Sequence, residues 1–269
     1  MSQKLQKLNK YFLIALLCLQ GCAFYKLPEP QCLFPDQNLE QGGLINIEFF
    51  EKYTESSILK NSLVCYEKYQ KRLISPIPYH SNKNIYKKSG FELQNIKFRE
   101  SRLKIKNKKF NKISNENLLR IQKESDIYKL KLSSKSLFKG FDLPLKIPVA
   151  GIISSEYGVK RFINNIPKNP HLGMDIAAKI GTPIYAAASG IVILADDFFY
   201  RGKNILISHG YNTKTSYSHL DEITINEGQT VRKGQLIGYV GSSGRVTGAH
   251  LHFEIIFLGE RLNPQIFFN

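Results

Sequence analysis

The stretch Val246–Ile256, VTGAHLHFEII, decides how the C-terminal half of this chain is read. Two histidines sit one residue apart inside a run that is otherwise β-branched, aromatic and apolar, where imidazole is an awkward guest. Read as a strand, with side chains alternating between faces, the run puts Leu251, Phe253 and Ile255 on one side and His250, His252 and Glu254 on the other. The apolar side alone can anchor such a strand, which frees the polar side to converge on something. HLGMDIA (171–177) repeats the logic, with His171, Gly173 and Asp175 opposite Leu172, Met174 and Ile176.

Outward from these two segments, short apolar runs recur between turn signals: GIISSEYG, TPIYAA, GIVILA, GKNILISHG, TSYSHL and QLIGYVG. No helical period separates them. Strands of this length and spacing predict an antiparallel all-β sandwich or barrel of roughly 120 residues, beginning after FKGFDLPLKIPVAG (138–151).

The region upstream has a different texture. Between Asn46 and Leu73, apolar residues at three- and four-residue steps (Ile47, Phe50, Leu59, Leu63, Tyr66, Leu73) predict one or two helices. SPIPYHSNKN (75–84) breaks the chain, and Asn84 to Phe110 alternates loosely enough to predict short, half-exposed strands. SNENLLRIQKESDIYKL (114–130) has Ser114 placed as a helix N-cap, with a helical apolar pattern after it.

Charge divides the chain at the same point. The protein has 269 residues and a formal net charge of +16. From Phe141 onward there are 12 Lys+Arg against 10 Asp+Glu, so nearly all of the excess lies upstream. Such a surface suits nucleic acid, anionic lipid or an acidic polymer, and a solvated face is the bland alternative. No zinc-finger spacing, RNP-like aromatic box or phosphate loop accompanies it, so nucleic acid is not expected as a partner.

The N-terminus reads as a targeting signal. Lys4, Lys7 and Lys10 precede the apolar YFLIALLCL (11–19), which is too short to span a bilayer, and LQGC (19–22) follows. LQGC resembles a bacterial lipobox, which implies cleavage after residue 21, lipidation of Cys22 and attachment to a membrane outside the cytoplasm; Gln20 is atypical at its position. Residues 22–43, rich in Pro, Gln, Asn and Glu, read as a tether, 44–140 as a basic region of helices and short strands, and 141–269 as the β domain. Cys32 and Cys65 are then the only other cysteines of the mature chain, either paired or two buried thiols.

Two imidazoles and a carboxylate, carried on strands, suit zinc with a fourth position left for water. The same set resembles the facial triad of non-haem iron, so donor type alone leaves the metal open. A longer comparison narrows it. NPHLGMDIAAKIGTPIYAAASGIV (169–192), YSHLDEI (217–223), VRKGQLIGYVGSSGRVTGAHLHFEI (231–255) and LNP (262–264) resemble the lysostaphin/LytM-type zinc metallopeptidases, the M23 peptidase family.

That resemblance covers about Phe141 to Phe267. It implies a mainly β fold, an antiparallel β-sandwich of the duplicated hybrid motif type, and Zn2+ held by His171, Asp175 and His252, with His219 and His250 as the catalytic histidines that do not bind metal. It implies hydrolysis of peptide bonds in peptidoglycan cross-links or stems by a periplasmic protein lipid-anchored to the outer membrane. Some proteins with this domain have lost ligands and activate cell-wall amidases instead; here all five residues are present, and that regulator is the alternative.

Neighbouring residues are assigned more modestly. His209 in ILISHGYN is expected to be structural or to support a ligand. Glu254 either orients a ligand imidazole or pairs with a surface cation, and Arg161, which matches a family position near the groove rim, is expected in a buried ion pair. The glycines of GSSGRVTG (241–248) supply tight turns or close backbone approach. INEGQTVRKGQLIGYVGSSG (225–244) is also similar to biotinyl and lipoyl carrier hairpins, but lacks their MKM or DKA lysine. His80 carries no assignment.

Overall fold

The computed structural model describes residues 34–50, 61–67, 70–104, 113–135, 138 and 140–268. Cys22 and Cys32 lie outside them; Cys65 is disulfide-bonded.

Where one or two helices are expected between Asn46 and Leu73, the described residues form a three-stranded antiparallel sheet. β1 (Leu44–Glu48) and β2 (Leu63–Glu67) flank β3 (Gln70–Pro76), with Ile47 opposite Leu73 and Leu63 opposite Ile74. The reason for the misreading is that both faces of this small sheet are covered. Ile45 and Leu73 pack in a local cluster with Ile77, Tyr86, Phe91 and Leu93, while Leu44, Cys65 and Ile74 join the main core. Burial on two sides erases the period-two signature and leaves apolar spacing that imitates a helix.

The next segment departs from expectation in the opposite sense. Its start is a helix, α1 (Lys83–Lys88), capped by Asn82, whose side chain accepts from the Asn84 N–H, and burying Tyr86. A single described strand, β4 (Glu100–Leu103), follows. Helix α2 (Asn115–Ser133) starts where Ser114 predicts, its hydroxyl accepting from the Asn117 N–H at 3.2 Å.

The C-terminal half is β-rich, as its turn spacing predicts. β5 (Ile152–Ser155) forms one edge of a ten-stranded sheet, and β8 (Met174–Ala177) lies next to it. Between them, β6 (Lys160–Ile163) and β7 (Ile166–Lys168) form a hairpin that β4 joins in parallel. β9 (Pro183–Tyr185), β10 (Gly190–Phe198), β11 (Gly202–Gly210), β12 (Thr213–Ile223), β13 (Thr230–Val231), β14 (Leu236–Val240), β15 (His250–Phe257) and β16 (Glu260–Leu262) complete the large sheet. Its main path runs β13, β10, β11, β12, β15, β8, β5, with β14 bridging β12 and β9 and β16 pairing β15. All its pairings are antiparallel.

One face carries the main core, to which Val192, Ile205, Ile207, Tyr217, Leu251, Phe253 and Ile255 contribute, each 0 or 1% exposed. The opposite face is split. Helix α2 covers one part, Tyr128 packing with Leu194, Phe198, Leu206 and Ile256. The other part carries the histidines.

Candidate metal centre

Antiparallel pairing of β8 with β15 puts Asp175 directly opposite His252, where side chains on one face are near neighbours. His171, three residues before β8, is fixed by its backbone: its N–H donates to Val159 O at 2.9 Å, and its carbonyl accepts from the Gly158 N–H at 2.6 Å. Three donor atoms thereby converge. His171 Nε2 lies 2.9 Å from Asp175 Oδ1 and 3.0 Å from His252 Nδ1, and His252 Nδ1 lies 2.7 Å from the same carboxylate oxygen. Gly173 gives the space expected of it, since a Cβ there would stand 2.7 Å from His252 Cε1.

The outer nitrogens show which way each ring is protonated. His171 Nδ1 lies 2.8 Å from Glu156 O, a pure acceptor, and 3.0 Å from Ser155 Oγ, so Nδ1–H donates outward and the Nε2 lone pair faces the centre. His252 Nε2 lies 3.4 Å from Glu254 Oε1, which likewise turns the Nδ1 lone pair inward. Two lone pairs and a carboxylate oxygen around one point form the donor set of a divalent cation such as zinc. These residues therefore fit the metal.

The electrostatics agree. Burial alone would raise the Asp175 carboxyl, yet hydrogen bonding to His171 and His252 holds it well below the usual carboxylate range. Burial lowers His171; it acts the same way on His252, where Asp175 and Glu254 outweigh it and raise the imidazole. Arg161 Nη2 sits 3.6 Å from Asp175 Oδ2, but its side chain is 44% exposed, so the expected buried pair is a rim pair. β6 is the middle strand of its small sheet, between β4 and β7, but Lys160 and Arg161 on it face solvent, which keeps that guanidinium wet.

His219 and His250 stand beside the three donors. His219 has φ 69, in the left-handed region, where β12 slips register against β11. The slip inserts an extra residue, so Tyr217 and Leu220, three apart, both enter the core while His219 turns to the site. Its Nδ1 donates to Ser243 O at 3.0 Å, and His250 Nδ1 donates to Gly248 O at 2.9 Å. Each ring thus keeps Nε2 as its free nitrogen, with His250 Nε2 3.8 Å from Asp175 Oδ1 and the two centroids 4.9 Å apart. Burial, reinforced by His252 and His250, pushes the His219 imidazole down to about 3, so it is neutral at physiological pH.

Glu254 pairs with cations, though not with surface ones, and lies beside the outer nitrogen of His252. It is 4% exposed, and it accepts from Arg201 Nη1 at 2.9 Å and Arg261 Nε at 2.9 Å. Ser243 and Gly244 belong to the GSSGRVTG turn, which packs against the β10–β11 turn so closely that a Cβ on Gly244 would meet Gly202 N at 2.3 Å. His209 is fully buried, Nδ1 donating to Ser189 O at 2.8 Å and Nε2 lying 2.7 Å from Thr215 Oγ1. It braces β10, β11 and β12 from within the core. Arg201, Ser243 and Tyr128, which frame the site, had no signal in the sequence, since only the tertiary fold brings them to it.

Comparison with known proteins converges on one family. Residues 169–264 match the model of Peptidase family M23. Over 115 residues the chain is 42% identical to peptidoglycan DD-endopeptidase ShyA of Vibrio cholerae, covering 42% of this chain and 26% of that protein. Over 94 residues it is 42% identical to the DD-carboxypeptidase/endopeptidase Mpg of Neisseria meningitidis, covering 35% of this chain and 22% of the relative. The chain thus spans about a quarter of the length of these curated relatives. A crystal structure from Pseudomonas aeruginosa assigned to peptidase M23 superposes with a TM-score of 0.63 at 25% identity, covering 86% of this chain and 96% of that one. That likeness extends beyond the matched segment into the upstream elements.

Proposed function

We propose, from the premise that residues 169–264 of this chain form a peptidase family M23 domain, that the protein is a zinc-dependent endopeptidase acting on peptide bonds in peptidoglycan cross-links or stems. The observation that carries the reading is the convergence of His171 Nε2, Asp175 Oδ1 and His252 Nδ1 within about 3 Å of one another, with two further imidazoles beside them. The names of the relatives, endopeptidases of peptidoglycan, support the substrate class.

His171, Asp175 and His252 would hold the metal, which supplies a Lewis acid that acidifies water and polarises a peptide carbonyl. His219 and His250 do the rest with their free Nε2 atoms. A neutral imidazole accepts the proton of the attacking water, and the pair steadies negative charge on the carbonyl oxygen and returns a proton to the departing amine. Both rings offer Nε2 to the site because Nδ1 of each is committed to a backbone carbonyl.

The lipidated Cys22 and a periplasmic, outer-membrane location belong to the same proposal; their support is the sequence of the first 22 residues. Incubating the metal-loaded protein with cross-linked muropeptides, followed by mass spectrometry, tests the activity and names the bond. Smaller products that vanish on chelation support it. Intact muropeptides together with stimulation of a wall amidase would instead establish the regulator.

A further inference from the structure

Glu254 is the node of a charge cluster that reaches well beyond the matched domain. Its Oε1 accepts from Arg261 Nε at 2.9 Å and lies 3.4 Å from His252 Nε2, while Oε2 accepts from Arg201 Nη1 at 2.9 Å and from the Tyr128 hydroxyl at 3.4 Å. Tyr128 belongs to helix α2. The Arg201 guanidinium also lies over its ring, 4.2 Å from the centroid, in cation–π contact. Arg201 touches the second histidine as well, because its carbonyl accepts the His219 N–H at 2.9 Å.

We propose that Arg201 and Tyr128 are positioning residues which, through Glu254, hold His252 as a metal ligand, so that helix α2 sets the metal affinity of a site it does not touch. The inference rests on the zinc-peptidase reading. A carboxylate that accepts from the outer nitrogen of a ligand imidazole fixes its tautomer and orientation and strengthens it as a donor. Glu254 can do this only while its own two oxygens are held. Glu254 is buried, so its charge would be costly without the two guanidiniums. One of those is aligned by stacking on a tyrosine that α2 delivers. The helix is in turn fastened to the sheet at both ends. Arg120 Nη2 donates to Asp197 O at 3.1 Å and Glu124 Oε2 accepts from the Phe199 N–H at 2.8 Å, while Lys131 pairs with Glu227 further along.

The test is the zinc dissociation constant of full-length protein, measured by competition with a chromophoric chelator, for wild type, Glu254→Gln, Arg201→Lys and Tyr128→Phe. Glu254→Gln is expected to weaken zinc binding about 10- to 100-fold, Arg201→Lys by less, since a lysine cannot reproduce the fork, and Tyr128→Phe about threefold. Tyr128→Phe keeps the ring and the fold, so its result stands even where Glu254→Gln is destabilised by two unpaired arginines. Saturating zinc should restore turnover of Arg201→Lys and Tyr128→Phe with KM unchanged, which a general loss of structure would not allow. Zinc affinities of Glu254→Gln and Arg201→Lys within twofold of wild type overturn the proposal, and an unchanged affinity of Tyr128→Phe overturns the part given to helix α2, whatever the muropeptides show. A graded loss of affinity in protein whose wild type cleaves no muropeptide supports it while overturning the endopeptidase reading alone.

Discussion

His219 holds a backbone conformation that costs a non-glycine residue about 1 to 2 kcal/mol, at φ 69. The strain persists because the flanking Tyr217 and Leu220 are fully buried and Nδ1 is tied to Ser243 O, which leaves Nε2 no direction but the site. Two substitutions separate the strain from the chemistry. His219→Ala should bind zinc as wild type does and lose turnover by about 10²- to 10⁴-fold, measured by zinc titration beside a muropeptide assay. His219→Gly should be equally inactive yet more stable than the alanine variant by about 1 kcal/mol, because glycine adopts positive φ freely. Equal urea midpoints for the two variants would show that the φ carries no strain. His171→Ala and Asp175→Ala behave differently: each removes one of three donors, so zinc and activity should disappear together.

At the scale of the element, the pairing of β8 with β15 does most to build the site, and Gly173 is its tightest point. A Cβ at that position would meet both His252 Cε1 and the Phe253 carbonyl oxygen at 2.7 Å. Gly173→Ala should therefore leave the sheet folded but displace the His252 ring, weakening zinc by at least tenfold; an unchanged dissociation constant would mean that β15 gives way freely. This part was legible in the sequence at HLHF, which buries Leu251 and Phe253 and leaves His250 and His252 partly open, and less so at HLGMDIA, where His171 precedes β8 and is itself 1% exposed while Leu172 is only half-buried. The alternation fails further along β15. Glu254 and Ile256, on the side expected to stay open, are 4% and 1% exposed, because α2 lies over them. The bulge that turns His219 inward was illegible too, since YSHL fits an ordinary strand and only the pairing register betrays the extra residue. The small sheet of β1, β3 and β2 was misread for a related reason: Leu44 and Ile45, or Leu73 and Ile74, are adjacent residues buried on opposite faces, and no single period describes them.

Across the whole molecule, buried imidazoles ought to govern how the fold answers acid. His209 lies in the main core, where burial pushes its imidazole down to about 4, whereas in the unfolded chain it titrates near 6.5. Between those two values the unfolded state binds a proton that the native state refuses, so stability falls as pH falls through the window. The contribution is fully present above about pH 6.5, and below about pH 4 its loss is complete, at about 3 kcal/mol. His219, held at about 3, acts with the same sign and extends the slope further into acid. Glu254, held low chiefly by Arg201 and Arg261 against its burial, adds stability above its ordinary carboxylate range and loses it lower still. The His209 effect can be separated from the other two by replacing that one group. Urea unfolding of wild type and His209→Gln at pH 7, 6, 5 and 4.5, both with chelator, should give a wild-type stability that drops steeply below pH 6.5. The variant, less stable at pH 7 because glutamine cannot reproduce both hydrogen bonds to Ser189 and Thr215 at the imidazole's reach, should fall by about one proton's worth less, or about 1.4 kcal/mol less per pH unit. Parallel curves for the two proteins would mean that His209 takes up its proton within the fold. The brace between β10, β11 and β12 would then have to accommodate a cation that its core position argues against.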